Sequence, residues 1–400
     1  GKINENMKKY CLLFIFAFIF CATISAQTTR VYFIEPEIHI GKIVPNTSRF
    51  PSTSISPGLH LNIGWRDETQ GNGWANFYNY PQVGLEIGYD WLGEKDLFGS
   101  RFSAQTYIII PTKKDLSKGV QFKMGIGAAY FNKPYDSVTN PENDYVGSPF
   151  TWAFELILQK AILIQENTFK IGFGYVHSSN GHTVLPNYGL NSAVLTLGYQ
   201  LYPKKNKLNQ KLNSDKNKYS DKHFYLIKRF GIGWHELGGP ITPIGGDVKP
   251  IYSTGLSGGI LLRKHILVRT GFLYRYYEQY SNYIKENNLT EYSKNKNWSA
   301  SNILFFVGGE FLIGHFSMDI EGGLNIMKPF YKTHFEVFEK TNNYDKITKQ
   351  LIATRLGMNI YLFNTNKLPK HNISVGGYIN ANFGQADFSE LNFNYVLKIK

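Results

Sequence analysis

Residues 83–91 read VGLEIGYDW. Val83, Leu85, Ile87, Tyr89 and Trp91 are large and apolar, while Gly84, Glu86, Gly88 and Asp90 between them are small or charged. Side chains alternate across a strand, so a period of two makes a β-strand with one apolar and one polar face. The pattern returns in Phe122–Met124–Ile126–Ala128–Tyr130, set among Gln121, Lys123, Gly125 and Gly127. It returns again in Phe316–Met318–Ile320, set among Ser317, Asp319 and Glu321. In a soluble sandwich the apolar face is the core; in a membrane barrel it meets lipid and the polar face lines the lumen. Alternation alone does not choose.

The flanking sequence does. Met7 is followed by Lys8 and Lys9, an apolar run from Tyr10 to Ala22, and Thr-Ile-Ser-Ala-Gln, the layout of a secretory leader cut after Ala26. The run is shorter than the roughly 20 residues of a membrane-spanning helix. Phe18, Ile19 and Phe20 before Cys21 lack the small residue of a lipoprotein site, and Gly1–Asn6 read as an upstream extension. Both cysteines, Cys11 and Cys21, lie in this leader, so the mature chain is expected to have no disulfide, catalytic thiolate or thiolate metal site.

Net charge is +13, and removing Lys2, Lys8, Lys9 and Glu5 with the leader leaves +11. An exported basic protein is expected to meet anionic lipid or glycan, not nucleic acid. Aromatic residues make up 16% of the chain, and mean hydropathy is −0.27. Aromatic residues gather at strand ends: Tyr89, Trp91, Tyr130, Tyr199, Tyr202, Tyr274 and Tyr276. These features favour an all-β outer-membrane protein, an antiparallel up-and-down β-barrel of about 16 strands, over a secreted soluble sandwich.

Strands are predicted near 28–45, 54–66, 82–93, 101–114, 120–136, 150–164, 167–180 and 191–202. A second set is predicted near 222–238, 250–264, 266–283, 298–314, 316–329, 351–364, 371–387 and 390–400. Turns at Gln165–Glu166, Lys264–His265 and Gly314–His315 are tight, and connections at 137–149, 180–190, 283–298 and 329–350 are long. Tight periplasmic turns and long extracellular loops alternate this way if the first strand runs outward; the long 67–81 connection breaks the rule. The expected organisation is a leader at 1–26, an eight-stranded unit at 27–203, a basic polar linker at 204–222 and a second set of strands at 223–400. One wide barrel and two eight-stranded units both fit.

Within this frame, residues 174–199, GYVHSSNGHTVLPNYGLNSAVLTLGY, hold residues of catalytic type. Phe169, Ile171, Phe173 and Tyr175 form an apolar face that His177 and Ser179 continue. After the loop, Asn191 continues the face of Ala193, Leu195, Leu197 and Tyr199. Residues two apart on a strand share a face about 6.6 Å apart, so His177 and Ser179 can meet. All three are expected to look into lipid at the extracellular end, where lipid A lies in a Gram-negative envelope. A serine hydroxyl becomes a nucleophile when a neighbouring imidazole takes its proton. A third group fixes the imidazole, and loop N–H and amide groups can serve an oxyanion.

His177-x-Ser179-Asn180, followed by Pro186-Asn187-x-Gly189-Leu190, resembles the active-site motif of the PagL-type lipid A 3-O-deacylases of the outer-membrane acyloxyacyl hydrolase family. Those proteins are eight-stranded barrels with a His/Ser/Glu triad on the lipid-facing wall. The resemblance covers about 174–199 and, by strand count, plausibly 27–203, and does not extend to 223–400. It implies Ser179 as nucleophile, His177 as base, and Asn180, Gly181 and Asn187 in the loop as candidates for the oxyanion site. It also implies lipid A of lipopolysaccharide in the outer leaflet as substrate, and no cofactor or metal. The family's acid falls at Asn191, an amide. Asn191 then orients the imidazole as a neutral group, or an acid elsewhere substitutes, or activity is reduced or lost.

Bland readings compete. A lone His-x-Ser at a strand end is usually structural, and the loop motif is what lifts this one. His182 reads as a solvated loop residue, and Gly125–Gly127 as small lumen-facing residues. The acidic Asp136–Asp144 segment reads as a wet extracellular loop rather than a calcium site. The lysines of 204–222 read as a solvated linker, and Gly239–Gly246 as a rigid turn without assigned function. The rival functional class is a non-catalytic barrel: a channel, or a deacylase decayed at Asn191.

Overall fold

The computed structural model describes residues 30–68, 73–203, 222–339 and 342–400. The leader and residues 204–221 of the basic linker lie outside the described residues. Among the described residues, sixteen strands form two closed antiparallel barrels of eight, so the choice between one wide barrel and two units resolves as two.

The first barrel comprises β1 (Arg30–Ile43), β2 (Ile55–Asp67), β3 (Gln82–Trp91), β4 (Ser100–Pro111), β5 (Val120–Phe131), β6 (Phe150–Ile164), β7 (Asn167–Ser179) and β8 (Leu190–Gln200). It closes where β1 pairs with β8, from Glu37 opposite Gly198 to Ile43 opposite Ser192. The second comprises β9 (His223–Glu236), β10 (Val248–Leu262), β11 (Ile266–Tyr277), β12 (Ser301–Ile313), β13 (Phe316–Met327), β14 (Ile352–Tyr361), β15 (His371–Asn382) and β16 (Gln385–Lys398). It closes between β9 and β16.

The period-two sequence becomes a strict in–out alternation, as in β1, where every second residue is buried and the others are exposed. Ile34, Ile38, Leu59, Leu156 and Phe173 form the exposed apolar wall that a bilayer would solvate. The lumens hold the charges. Lys123 meets Glu37 at 3.3 Å and Glu155 at 3.2 Å, and Lys170 meets Glu35 at 2.6 Å. In the second barrel Arg269 meets Glu310 at 3.3 Å and Glu321 at 2.8 Å, and Arg355 meets Glu390 at 3.0 Å. Eight strands leave an interior just wide enough for side chains, and paired charges fill both.

Three boundaries differ most from the sequence reading, and the first is the strand expected over 120–136, which ends at Phe131. The strand expected to run to 283 ends at Tyr277, and a helix follows over Glu278–Glu286. Tyr277, Tyr280 and Ile284 bury one helical stripe against Phe330 and Phe388, so an aromatic run that resembles a strand folds as a helix. The last hairpin turns at Phe383–Gly384, with φ of 45° and 84°, several residues earlier than expected. The Gln165, Lys264 and Gly314 turns lie as expected, each with a positive φ.

The barrels stand side by side, with corresponding rims together. On one rim the long 67–81 connection carries a helix, Gly73–Phe77, and Tyr78 Oη donates to His265 O of the second barrel at 2.9 Å. The connection that breaks the turn-length rule thus makes an inter-barrel contact. Midway along the walls, Thr106 Oγ1 lies 3.9 Å from Met358 Sδ. On the opposite rim the 180–189 loop meets the 237–247 loop.

Candidate active site

Antiparallel pairing of β6, β7 and β8 sets the site. His177 stands opposite Phe154 on one side and Asn191 on the other, and Ser179 stands opposite Trp152. Directly opposed side chains have Cβ atoms about 5 Å apart, so the register alone brings His177 to Asn191. Nδ1 of His177 donates to Oδ1 of Asn191 at 2.6 Å. That oxygen also accepts from the hydroxyl of Tyr175 at 2.5 Å. With its hydrogen on Nδ1, the neutral imidazole keeps a lone pair on Nε2. Tyr175 stacks on His177 at 6.5 Å between ring centroids, and Phe154 flanks it at 6.2 Å.

Ser179 Oγ accepts from the Gly181 N–H at 3.3 Å, and no hydrogen bond joins it to His177. Catalytic hydrogen bonds are often longer before substrate binds. Gly189 (φ +73°) lies between the two side chains. A Cβ there would stand 3.0 Å from His177 Cε1 and 3.1 Å from Ser179 Cβ. Gly189→Ala should therefore push imidazole and serine apart and strain a left-handed backbone. Turnover is expected to fall by roughly tenfold or more with the barrel intact, as read by kinetics on detergent-purified protein. Unchanged turnover would mean that Gly189 does not set the spacing.

The three loop candidates part company. The Asn180 N–H donates to Asn187 Oδ1 at 3.1 Å, and Asn180 Nδ2 donates to Val184 O at 2.6 Å. Asn180 therefore braces the loop. The Gly181 N–H points at Ser179, and the Asn187 Nδ2 is buried without a partner. Neighbouring loops hold the turn from within the barrel. Asn46 Nδ2 donates to Gly189 O at 3.0 Å, and the Gly189 N–H donates to Tyr145 O at 2.9 Å. The 136–144 segment is thus partly structural: its Asn143 is buried and fixes the backbone at Tyr145 and Val146.

Two expectations change. Ser179 does not face open lipid; it is 4% exposed, and the second barrel's Ser389 reaches the adjoining loop at Asn180 O. His182 is buried rather than solvated, stacked at 5.0 Å on His235 of the second barrel. Burial, and then the neighbouring His235, push its pKa down to about 3. It stays neutral and is no proton shuttle near pH 7.

Tyr175, Ser389 and Glu236 were not anticipated at the site. Alternation placed Tyr175 on the right face, but its donation to Asn191 needs the cross-strand register. The other two come from strands that no local pattern links to the loop. Among the described residues, His39, His60 and Asp90 in the first lumen form one group with metal-ligand atoms close together. The two imidazoles stack at 3.6 Å, and His60 already meets Glu86 at 2.8 Å and Asp90 at 3.1 Å. Both ring nitrogens of His60 are thus engaged by carboxylates of the lumen.

Residues 59–200 match the lipid A 3-O-deacylase (PagL) family. The match runs from β2 to the last residue of β8 and takes in His177, Ser179 and Asn191; the second barrel lies outside it. No curated protein matches the chain. Among solved structures, the outer membrane protein Ail of Yersinia pestis is 13% identical, with a TM-score of 0.26 over 42% of this chain and 99% of that one. A mutant porin of Rh. blastica is 10% identical, with a TM-score of 0.18 over 93% of this chain and 100% of that one. With PagL-type sequence in the first barrel and apolar walls on both, the chain is an outer-membrane β-barrel protein.

Proposed function

We propose that the first barrel is a serine esterase that removes an ester-linked acyl chain from lipid A. The observation that carries this reading is the 2.6 Å Asn191–His177 hydrogen bond, which leaves Nε2 as the free imidazole nitrogen, two residues from Ser179 on a PagL-matching strand. In the reaction, Ser179 Oγ attacks the acyl carbonyl as His177 Nε2 takes its proton. The oxyanion draws on the Gly181 N–H and on Asn187 Nδ2, a buried donor whose isolation costs about 1–3 kcal/mol until an acceptor arrives. Collapse expels the sugar hydroxyl, protonated by His177. Water, deprotonated by the same imidazole, then releases the fatty acid and restores Ser179. No cofactor or metal enters.

Asn191 orients the imidazole but gives its cation no counter-charge, so the proposed enzyme lacks one stabilising element of an acid-containing triad. The channel alternative is disfavoured by lumens filled with ion pairs. Mass spectrometry of lipid A from cells with and without the protein tests the proposal. The expected difference is the loss of one ester-linked acyl chain; identical lipid A in both favours the non-catalytic barrel.

A further inference from the structure

We infer that the second barrel is a clamp for the candidate catalytic loop, with Glu236 and Ser389 as positioning residues. The inference rests on the deacylase reading of His177 and Ser179 and gives residues 223–400 a role in it.

The loop from Asn180 to Asn187 would face lipid headgroups and water on a solitary barrel. Here its polar backbone is met by the neighbour. The Leu185 N–H donates to Glu236 Oε2 at 2.7 Å, while Glu236 Oε1 accepts from Gly246 N at 2.6 Å. The Asn187 N–H donates to Pro240 O at 2.7 Å, and the Glu236 N–H donates to His182 O at 3.1 Å. Ser389 Oγ accepts from Trp152 Nε1 at 3.0 Å and donates to Asn180 O at 3.3 Å. Gly181 is pressed so close that a Cβ on it would stand 2.2 Å from Ser389 Oγ. The Gly239–Gly246 turn, which had no function in the sequence, supplies part of this seat: Pro240 takes the Asn187 N–H and Gly246 secures Glu236.

These contacts bracket the two groups that serve the oxyanion. Gly181 is held against Ser389, and Asn187 is held by Pro240 while Leu185 beside it is held by Glu236. A buried N–H left without its acceptor costs about 1–3 kcal/mol, so loss of Glu236 would release the loop rather than leave it in place. Displacement by about 1 Å is enough to cost up to 100-fold in rate. The substrate's acyl and sugar parts touch other surfaces, so the effect belongs in kcat more than in KM.

The test uses the full chain in detergent–lipid micelles, with Glu236→Ala, Glu236→Gln and Ser389→Ala. Retained heat-modifiable gel mobility shows that the barrels are folded. Hydrogen exchange of residues 180–189 should accelerate in Glu236→Ala and Ser389→Ala, while β7 and β8 stay protected. Turnover of purified lipid A should fall roughly 10- to 100-fold in kcat, with KM within about twofold. Glu236→Gln, which keeps one acceptor oxygen, should recover part of the loss. Unchanged exchange in both alanine variants, or unchanged kcat in variants of an active protein, overturns the clamp. A wild-type protein inert on lipid A defeats the deacylase reading and the positioning role with it, and the exchange result then decides the clamp contact alone.

Discussion

Ser179→Ala should stop release of the acyl chain, lowering turnover by at least about 100-fold, while the protein still inserts and stays heat-modifiable. Stability and chemistry separate at this residue. The hydroxyl makes one long hydrogen bond, to the Gly181 N–H at 3.3 Å, and sits at the last position of β7. Its removal deletes a single oxygen from a rim and leaves the β6–β7 ladder untouched. Chemically nothing replaces it. The neighbouring Ser178 projects into the lumen, where its hydroxyl accepts from Arg101 at 3.2 Å. Water attacking directly would lack the covalent step that splits the reaction in two. Mass spectrometry of lipid A treated with purified wild-type and variant protein reads the result, and equal turnover rejects Ser179 as the nucleophile.

Most of the barrel was legible because a strand with two different faces writes its period into the sequence. Val83–Trp91 and Phe169–Tyr175 alternate without a break, and both lie in strands as expected. The same alternation put His177, Ser179 and Asn191 on one face, and the register then made His177 and Asn191 direct partners. Legibility failed where distant contacts decide. The aromatic run at 274–283 has both helical and strand-like spacing, and only the packing of Tyr280 and Ile284 on Phe330 selects the helix. His182 looked solvated because its own neighbours are polar; His235, which buries it, comes from the other barrel. Glu236 and Ser389 reach the loop across the whole intervening chain, a pairing no local window contains. Closure into two barrels was undecided for the same reason. Sixteen strands of equal character do not say which strand meets β1, and the β1–β8 pairing settles that.

Replacing Asn191 tests the one departure from an acid-containing triad, and the two directions of substitution should move the rate oppositely. In Asn191→Ala the imidazole loses the acceptor that holds Nδ1, and Tyr175 loses the partner of its hydroxyl. The ring is then free to turn Nε2 away from Ser179, and turnover should fall by roughly 10- to 100-fold. In Asn191→Glu a carboxylate enters at the same register position, opposite His177 and within reach of Tyr175. A hydrogen bond to a charged acceptor is about twice as strong as a neutral one. The gain is greatest when the imidazole is a cation, which occurs in the transition state. An added stabilisation of about 1.4 kcal/mol there raises the rate tenfold. The site sits at the wall's rim, where water screens less than in bulk, so the attraction survives moderate salt. Turnover of lipid A by the two variants, compared with the native protein in the same detergent, reads both arms. If neither substitution changes the rate of an active enzyme, Asn191 is not the orienting group, and another residue must hold His177. If the native protein is inert and Asn191→Glu acquires activity, the first barrel is a deacylase that lost its acid and kept its geometry.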